Sequence, residues 1–178
     1  MTDPKPNLIL IGLRASGKST LGARLAESLG VGFVDLDNVT ARLLEADGAG
    51  AAIEAHGIEA FRGAEKRALK SVLAETGRVI ALGGGTPTAP GCSEMLSEDP
   101  CRVIYLRALV ETLQERLKGE DNSDRPALVG SDVVDEVQAL FDQRDKLYRS
   151  IAESVIHTDG VSEESVMSAL ISVAKAGF

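Results

Sequence analysis

The chain has 178 residues, 44% of them hydrophobic and 26% charged, with two cysteines and no tryptophan. That is enough apolar material for one buried core and too much for a disordered chain. A net charge of -8 and an aromatic content of 3% argue against the basic, stacking surface of a nucleic-acid binder.

Cys92 and Cys101 lack the spacing of a CxxC pair and read as buried thiols. No apolar run approaches the roughly 18 residues of a membrane span, and the N-terminus lacks a signal-peptide layout. The cytoplasm is the expected location.

Residues 7–11 are apolar and predict a buried strand; residues 18–29 predict a helix with Leu21, Leu25 and Leu29 on one face, stopped by Gly30. Between them GLRASGKST, residues 12–20, fits the phosphate-binding pattern GxxxxGKS. In such a loop, glycines let backbone N–H groups approach phosphate oxygens, and the helix N-terminus adds positive potential. Lys18 is expected to reach the terminal phosphates, and Ser19 to offer its hydroxyl to Mg²⁺.

Residues 33–36 predict a second strand delivering Asp35 and Asp37 at its end. Alternation along a strand puts both carboxylates on one face, where their repulsion calls for a cation or a proton, unless the strand end is simply solvated. Residues 40–55 predict two short helices broken near Gly48 and Gly50. Residues 58–75 predict a longer helix with Phe61, Ala64 or Glu65, Ala68, Leu69 and Val72 along one stripe. Arg62 lies beside the stripe, and Glu65, three residues on, can orient it. Residues 78–82 predict a third strand ending at Gly83, Gly84 and Gly85, a bare backbone that suits either a ligand pressed against it or a flexible loop.

A short helix at 90–97, a fourth strand at 102–106 and a helix at 110–118 follow. The polar stretch 119–131 has the length of an active-site lid and carries Arg125, although a solvated surface loop would look the same. The predicted helix 132–150 has an apolar stripe of Val133, Val137, Leu140, Phe141 and Tyr148, with Arg144 on it. That arginine must reach solvent or meet an anion. A fifth strand at 155–157 and a helix at 162–175 close the chain, and His56 and His157 have no ligand-like neighbours.

Five strands alternating with helices give an open α/β sheet with ligands beyond the carboxyl ends of its strands. The ordered set of GLRASGKST, the DLD holding Asp35 and Asp37, the AFRGAE around Arg62, the ALGGGTP of the three glycines, Arg125 with Pro126, and the RDKLY starting at Arg144 resembles shikimate kinase. That family is a small member of the nucleoside monophosphate kinase group, and the resemblance spans nearly the whole chain.

It implies a three-layer P-loop kinase fold: a five-stranded parallel sheet of order 2-3-1-4-5 flanked by helices, with a lid. The chain, 1–178, is then a single domain, with substrate bound by 35–62 and a lid at 119–131. The implied reaction moves the ATP γ-phosphoryl to the 3-hydroxyl of shikimate, giving shikimate 3-phosphate and ADP, on the route to chorismate and the aromatic amino acids.

Position by position, Gly12, Ala15, Ser16, Gly17, Lys18, Ser19 and Thr20 would hold the ATP phosphates, with Arg116 over the adenine. Ser19 and Asp35 would hold Mg²⁺. Asp37 matches the aspartate that contacts shikimate hydroxyls and is the candidate base, while Arg62 and Arg144 match the arginines that clamp its carboxylate. Gly83, Gly84 and Gly85 match the wall beside the substrate ring. Arg125 matches the lid arginine near the transferring phosphoryl, which completes a catalytic set with Lys18 and Asp37.

Two positions depart from the family pattern: Ala15, where glycine is common, and Ile53, where an aromatic is frequent. The resemblance implies a monomer whose partner is the small substrate, with no nucleic acid or membrane. A related small-metabolite kinase and a non-catalytic sensing domain are the rival readings; the glycine triplet and the paired arginines disfavour the first, and Lys18, Asp35, Asp37 and Arg125 the second.

Overall fold

In β1, Asn7–Ile11, Leu8 and Leu10 pack into one cluster while Ile9 and Ile11 pack into another, and all four are fully buried. A strand apolar on both faces belongs in the middle of a sheet with helices above and below. The computed structural model, which describes residues 5–98, 100–119 and 134–176, has that arrangement. On one side β1 pairs in parallel with β3, Arg78–Ala81, which pairs with β2, Gly32–Asp35. On the other it pairs with β4, Cys101–Arg107, which pairs with β5, Ser154–His157. The order is therefore β2-β3-β1-β4-β5, all parallel, with Ile9 level with Ile80 and Val103.

One layer is α1, Lys18–Leu29, with α8, Glu163–Lys175; Leu21, Leu25, Met167 and Leu170 pack with Leu8, Leu10 and Ile104. The other layer holds α4, Ile58–Leu73, α5, Cys92–Glu98, α6, Val110–Lys118, and α7, Glu136–Ile151. Leu69, Leu96, Leu113 and Tyr148 from these helices pack with Ile9, Ile80 and Tyr105. Two short helices, α2, Leu36–Leu43, and α3, Ala49–His56, pack on α4. Because every strand runs the same way, the loops after β1, β2 and β3 emerge on one edge of the sheet.

Several expectations need correction. Asp37 is not on a strand: β2 stops at Asp35, and Asp37 lies in the first turn of α2. The reason is a cap, since Asp35 Oδ1 accepts from the Asp37 backbone N–H at 3.1 Å and starts the helix four residues earlier than the expected position 40. The carboxylates are therefore related by a helix N-terminus and not by strand alternation. After Gly85 the chain makes a 3-10 turn, Thr86–Thr88, with Pro87 inside it, where no element was expected. Cys92 is buried, but Cys101 is only half-buried at the start of β4; neither forms a disulfide. Residues 120–133, which include most of the expected lid with Arg125 and the first residues of the helix predicted from 132, lie outside the described residues.

Candidate active site

The phosphate loop depends on two glycines for different reasons. Gly12 has φ 153° and no room for a Cβ, which would collide with Leu106 O and Ser16 Oγ. Gly17, at φ 91°, is the N-cap of α1, and no side chain caps that helix end. Backbone donors in the first turn of α1 therefore point where an anion can take them. Ala15 sits at φ 62°, left-handed for a residue with a Cβ. Lys18 is buried and curls back over the loop, its Nζ donating to Leu13 O at 2.8 Å and Ser16 Oγ at 3.4 Å. From the next position Ser19 Oγ donates to Asp35 Oδ2 at 2.6 Å.

The loop separates two clefts. One, of about 340 Å³, is lined by Ala15, Ser16, Gly17 and Thr20 on the loop side and by Arg116 and Thr158 opposite. Arg116 is fixed there: Nη1 donates to Ala15 O and Thr158 Oγ1, both at 3.2 Å, and Nη2 to Thr158 O at 2.8 Å. The second cleft, of about 100 Å³, is lined by Leu13 and Arg14 from the same loop. Its polar side is Asp37, Arg62, Arg144 and the three glycines, and its apolar side includes Ala49, Ile53 and Phe61.

Glu65 organises the polar side. It is fully buried, with Oε2 accepting from Arg62 Nη1 at 2.6 Å and Oε1 from the Thr86 hydroxyl. Burial pushes its pKa above the ordinary 4.5, against the lowering effect of Arg62 and Thr86. A Cβ on Gly83 would strike Asp37 Oδ1 and Glu65 Oε1, and one on Gly85 would strike the Arg62 guanidinium. None of the three glycines has a left-handed φ. What requires the bare backbone at Gly83 and Gly85 is thus the protein's own charged side chains, not a flexible loop.

Arg144 does not reach solvent. It is 7% exposed, its Nη1 donates to Gly84 O at 2.8 Å, and its buried Nε has no partner among the described residues. A buried guanidinium left short of partners is costly, and an anion at the cleft it lines would offset that cost. Three contributors escaped the sequence reading. Thr86 and Tyr148 are polar partners hidden in a turn and an apolar stripe, and Glu136 is a buried carboxylate lining the second cleft. Glu136 falls one position from Val137 on the predicted stripe, which is the one signal that could have flagged it.

The family model for shikimate kinase matches residues 14–175. The chain belongs to the shikimate kinase family. A shikimate kinase of Mycobacterium avium (strain 104) is 36% identical over 94% of this chain and 92% of its own length. One from Stenotrophomonas maltophilia (strain K279a) is 37% identical over 88% of this chain and 85% of its own. Among solved structures, shikimate kinase from Acinetobacter baumannii in complex with shikimate superposes with a TM-score of 0.86 at 29% identity, covering 97% of this chain and 94% of that one. Shikimate kinase from Aquifex aeolicus gives a TM-score of 0.77 at 28% identity, covering 96% and 97%.

Membership of the shikimate kinase family makes the chain a phosphotransferase with an alcohol acceptor and ATP as co-substrate. The expected three-layer fold and its strand order are those observed. Lys18, Ser19 and Asp35 gather at the phosphate loop, and Asp37, Arg62, Arg144 and the glycine wall gather at the second cleft. Arg116 lies at the first cleft, on the opposite side of the loop from Arg144.

Proposed function

We propose that the chain transfers the γ-phosphoryl group of ATP to the 3-hydroxyl of shikimate, forming shikimate 3-phosphate and ADP. The observation that carries this reading is the second cleft, which brings two guanidiniums, Arg62 and Arg144, together with the carboxylate of Asp37. Two guanidiniums suit a planar carboxylate, and one carboxylate suits hydroxyl donors; shikimate has both. The apolar side of Ile53 and Phe61 is the matching surface for a carbon ring.

In the reaction the acceptor oxygen bonds to the γ-phosphorus, the bond from that phosphorus to the β–γ bridging oxygen breaks with its electron pair leaving on ADP, and the acceptor proton passes to Asp37. Catalysis of this kind is mostly positioning and charge neutralisation. Gly12, Ala15, Ser16, Gly17 and Thr20, with Lys18, hold the phosphates in this reading, and Arg116 flanks the adenine. Arg125, outside the described residues, would neutralise charge from a lid at 119–131, with the acceptor region at 35–62 in a single domain.

Ser19 Oγ and Asp35 Oδ2 are hard oxygen donors of the type Mg²⁺ takes. Ser19 and Asp35 would hold Mg²⁺, which when bound offsets charge on the β- and γ-phosphates. The same reading takes the protein as a cytoplasmic monomer that binds neither nucleic acid nor membrane; its charge of -8 supports the exclusion of nucleic acid. No helix among the described residues is long and apolar enough to cross a membrane.

The test is ADP release from Mg-ATP with and without shikimate. Release that depends on shikimate and matches the phosphorylated product supports the assignment, and release indifferent to shikimate overturns it.

A further inference from the structure

Tyr148 lies one turn after Arg144 on α7 and is fully buried. Its hydroxyl donates to Gly84 O, the same carbonyl that accepts from Arg144 Nη1. A carbonyl oxygen has two lone pairs, so both donors are satisfied together. The tyrosine is held from behind. Tyr105 meets its ring edge-on, with centroids 5.2 Å apart and planes at 80°. Tyr105 in turn donates to Asp145 Oδ1 at 2.9 Å, and Asp145 also accepts from Arg107 Nε at 2.8 Å. Asp145 adjoins Arg144 in the chain, so the contacts Asp145, Tyr105, Tyr148, Gly84 and Arg144 close a ring around one turn of α7. Burial pushes the Tyr148 phenol up to about 12, so it stays protonated and donating at any working pH.

We infer that Tyr148 is a positioning residue: by fixing the Gly84 carbonyl that Arg144 holds, it sets the orientation in which the guanidinium meets the carboxylate of the acceptor. The inference rests on the reading of Arg144 as the carboxylate partner. Without the phenol, the Gly84 carbonyl keeps only Arg144 as a partner among the described residues, and carbonyl and guanidinium can shift together. Acceptor binding weakens, while the transferring phosphoryl group, bound on the other side of the loop, is unaffected.

The experiment is a cycle of Tyr148→Phe and Arg144→Ala, measured as shikimate KM, ATP KM and kcat, with a thermal melt for each variant. Y148F keeps the ring and its contact with Tyr105. Its shikimate KM is expected to rise roughly five-fold, the scale of one net hydrogen bond, with kcat and ATP KM within about two-fold. R144A alone raises shikimate KM more, and Y148F adds nothing in that background. An acceptor analogue lacking the carboxylate is turned over equally by Y148F and the parent.

If R144A raises shikimate KM but Y148F leaves it unchanged, or raises it equally in both backgrounds, the positioning role is wrong and the reading of Arg144 stands. If R144A leaves shikimate KM unchanged, both are wrong. Should Y148F give no cooperative melt, Tyr105→Phe applies the test one contact further out. A rise in shikimate KM that R144A abolishes is expected there, and no rise overturns the inference.

Discussion

Arg62 Nη1 donates to Glu65 Oε2 at 2.6 Å across one turn of α4, joining a guanidinium 24% exposed to a carboxylate with no exposed surface. Glu65 anchors the guanidinium from within α4, and burial pulls its carboxyl above the ordinary value while Arg62 pulls it down.

The net upward shift makes stability depend on pH with a definite sign. A carboxyl whose folded pKa is raised contributes stability that is fully present below its unfolded value, here about 4.5, and lost as pH rises through the folded value. Glu65→Gln removes this component. Thermal melts at stepped pH are expected to show the variant gaining on the parent as pH rises above 4.5; a Tm difference flat with pH would contradict the burial argument.

Asp37→Asn keeps the size of the side chain and removes the proposed proton acceptor. Turnover is expected to fall by roughly 10²-fold or more, the scale of losing a general base. ATP affinity, measured by calorimetry, should be nearly unchanged. Comparable loss of both would show that Asp37 serves the phosphate loop and not the acceptor.

The three consecutive glycines predict three different outcomes. Gly83→Ala forces a Cβ into Asp37 and Glu65 and is expected to destabilise the fold by about 2 kcal/mol or more. Gly85→Ala meets the movable end of Arg62, so the loss appears chiefly in shikimate KM. Gly84→Ala finds its nearest atom, Gly12 O, at 3.5 Å and should alter stability by roughly 0.5 kcal/mol or less. Denaturant melts with steady-state kinetics distinguish the three.

Ala15→Gly relieves a left-handed φ of 62°. The strain removed is about 1–2 kcal/mol, partly offset by the greater freedom of glycine in the unfolded chain. A net gain of roughly 0.5–1 kcal/mol is expected by denaturant unfolding. A loss would mean that the methyl of Ala15 makes a packing contribution larger than its strain.

Much of this architecture was legible because it rests on local patterns. The phosphate loop announces itself through fixed spacing, and β1 and α1 through apolar periods on either side of it. Arg62 with Glu65 is a three-residue helical relation and was equally readable. Asp35 and Asp37 were expected on one strand face and are not, since a cap and a strand end both place acid residues after an apolar pair. Arg144 stayed ambiguous because its partner, Gly84, is 60 positions away, and a backbone carbonyl leaves no mark in a sequence. Thr86 and Tyr148 were missed for the same cause: their partners, Glu65 and Gly84, are set by tertiary packing at separations of 21 and 64.

Residues 13–17 form a party wall. Leu13 and Arg14 line the second cleft, while Ala15, Ser16 and Gly17 line the first, within one short run of backbone. A substitution meant to retune one chamber is felt in the other. If the second cleft takes the acceptor as proposed, redesign toward a different acceptor should leave the wall intact and diversify Ala49, Ile53 and Phe61, which line that cleft and not the first.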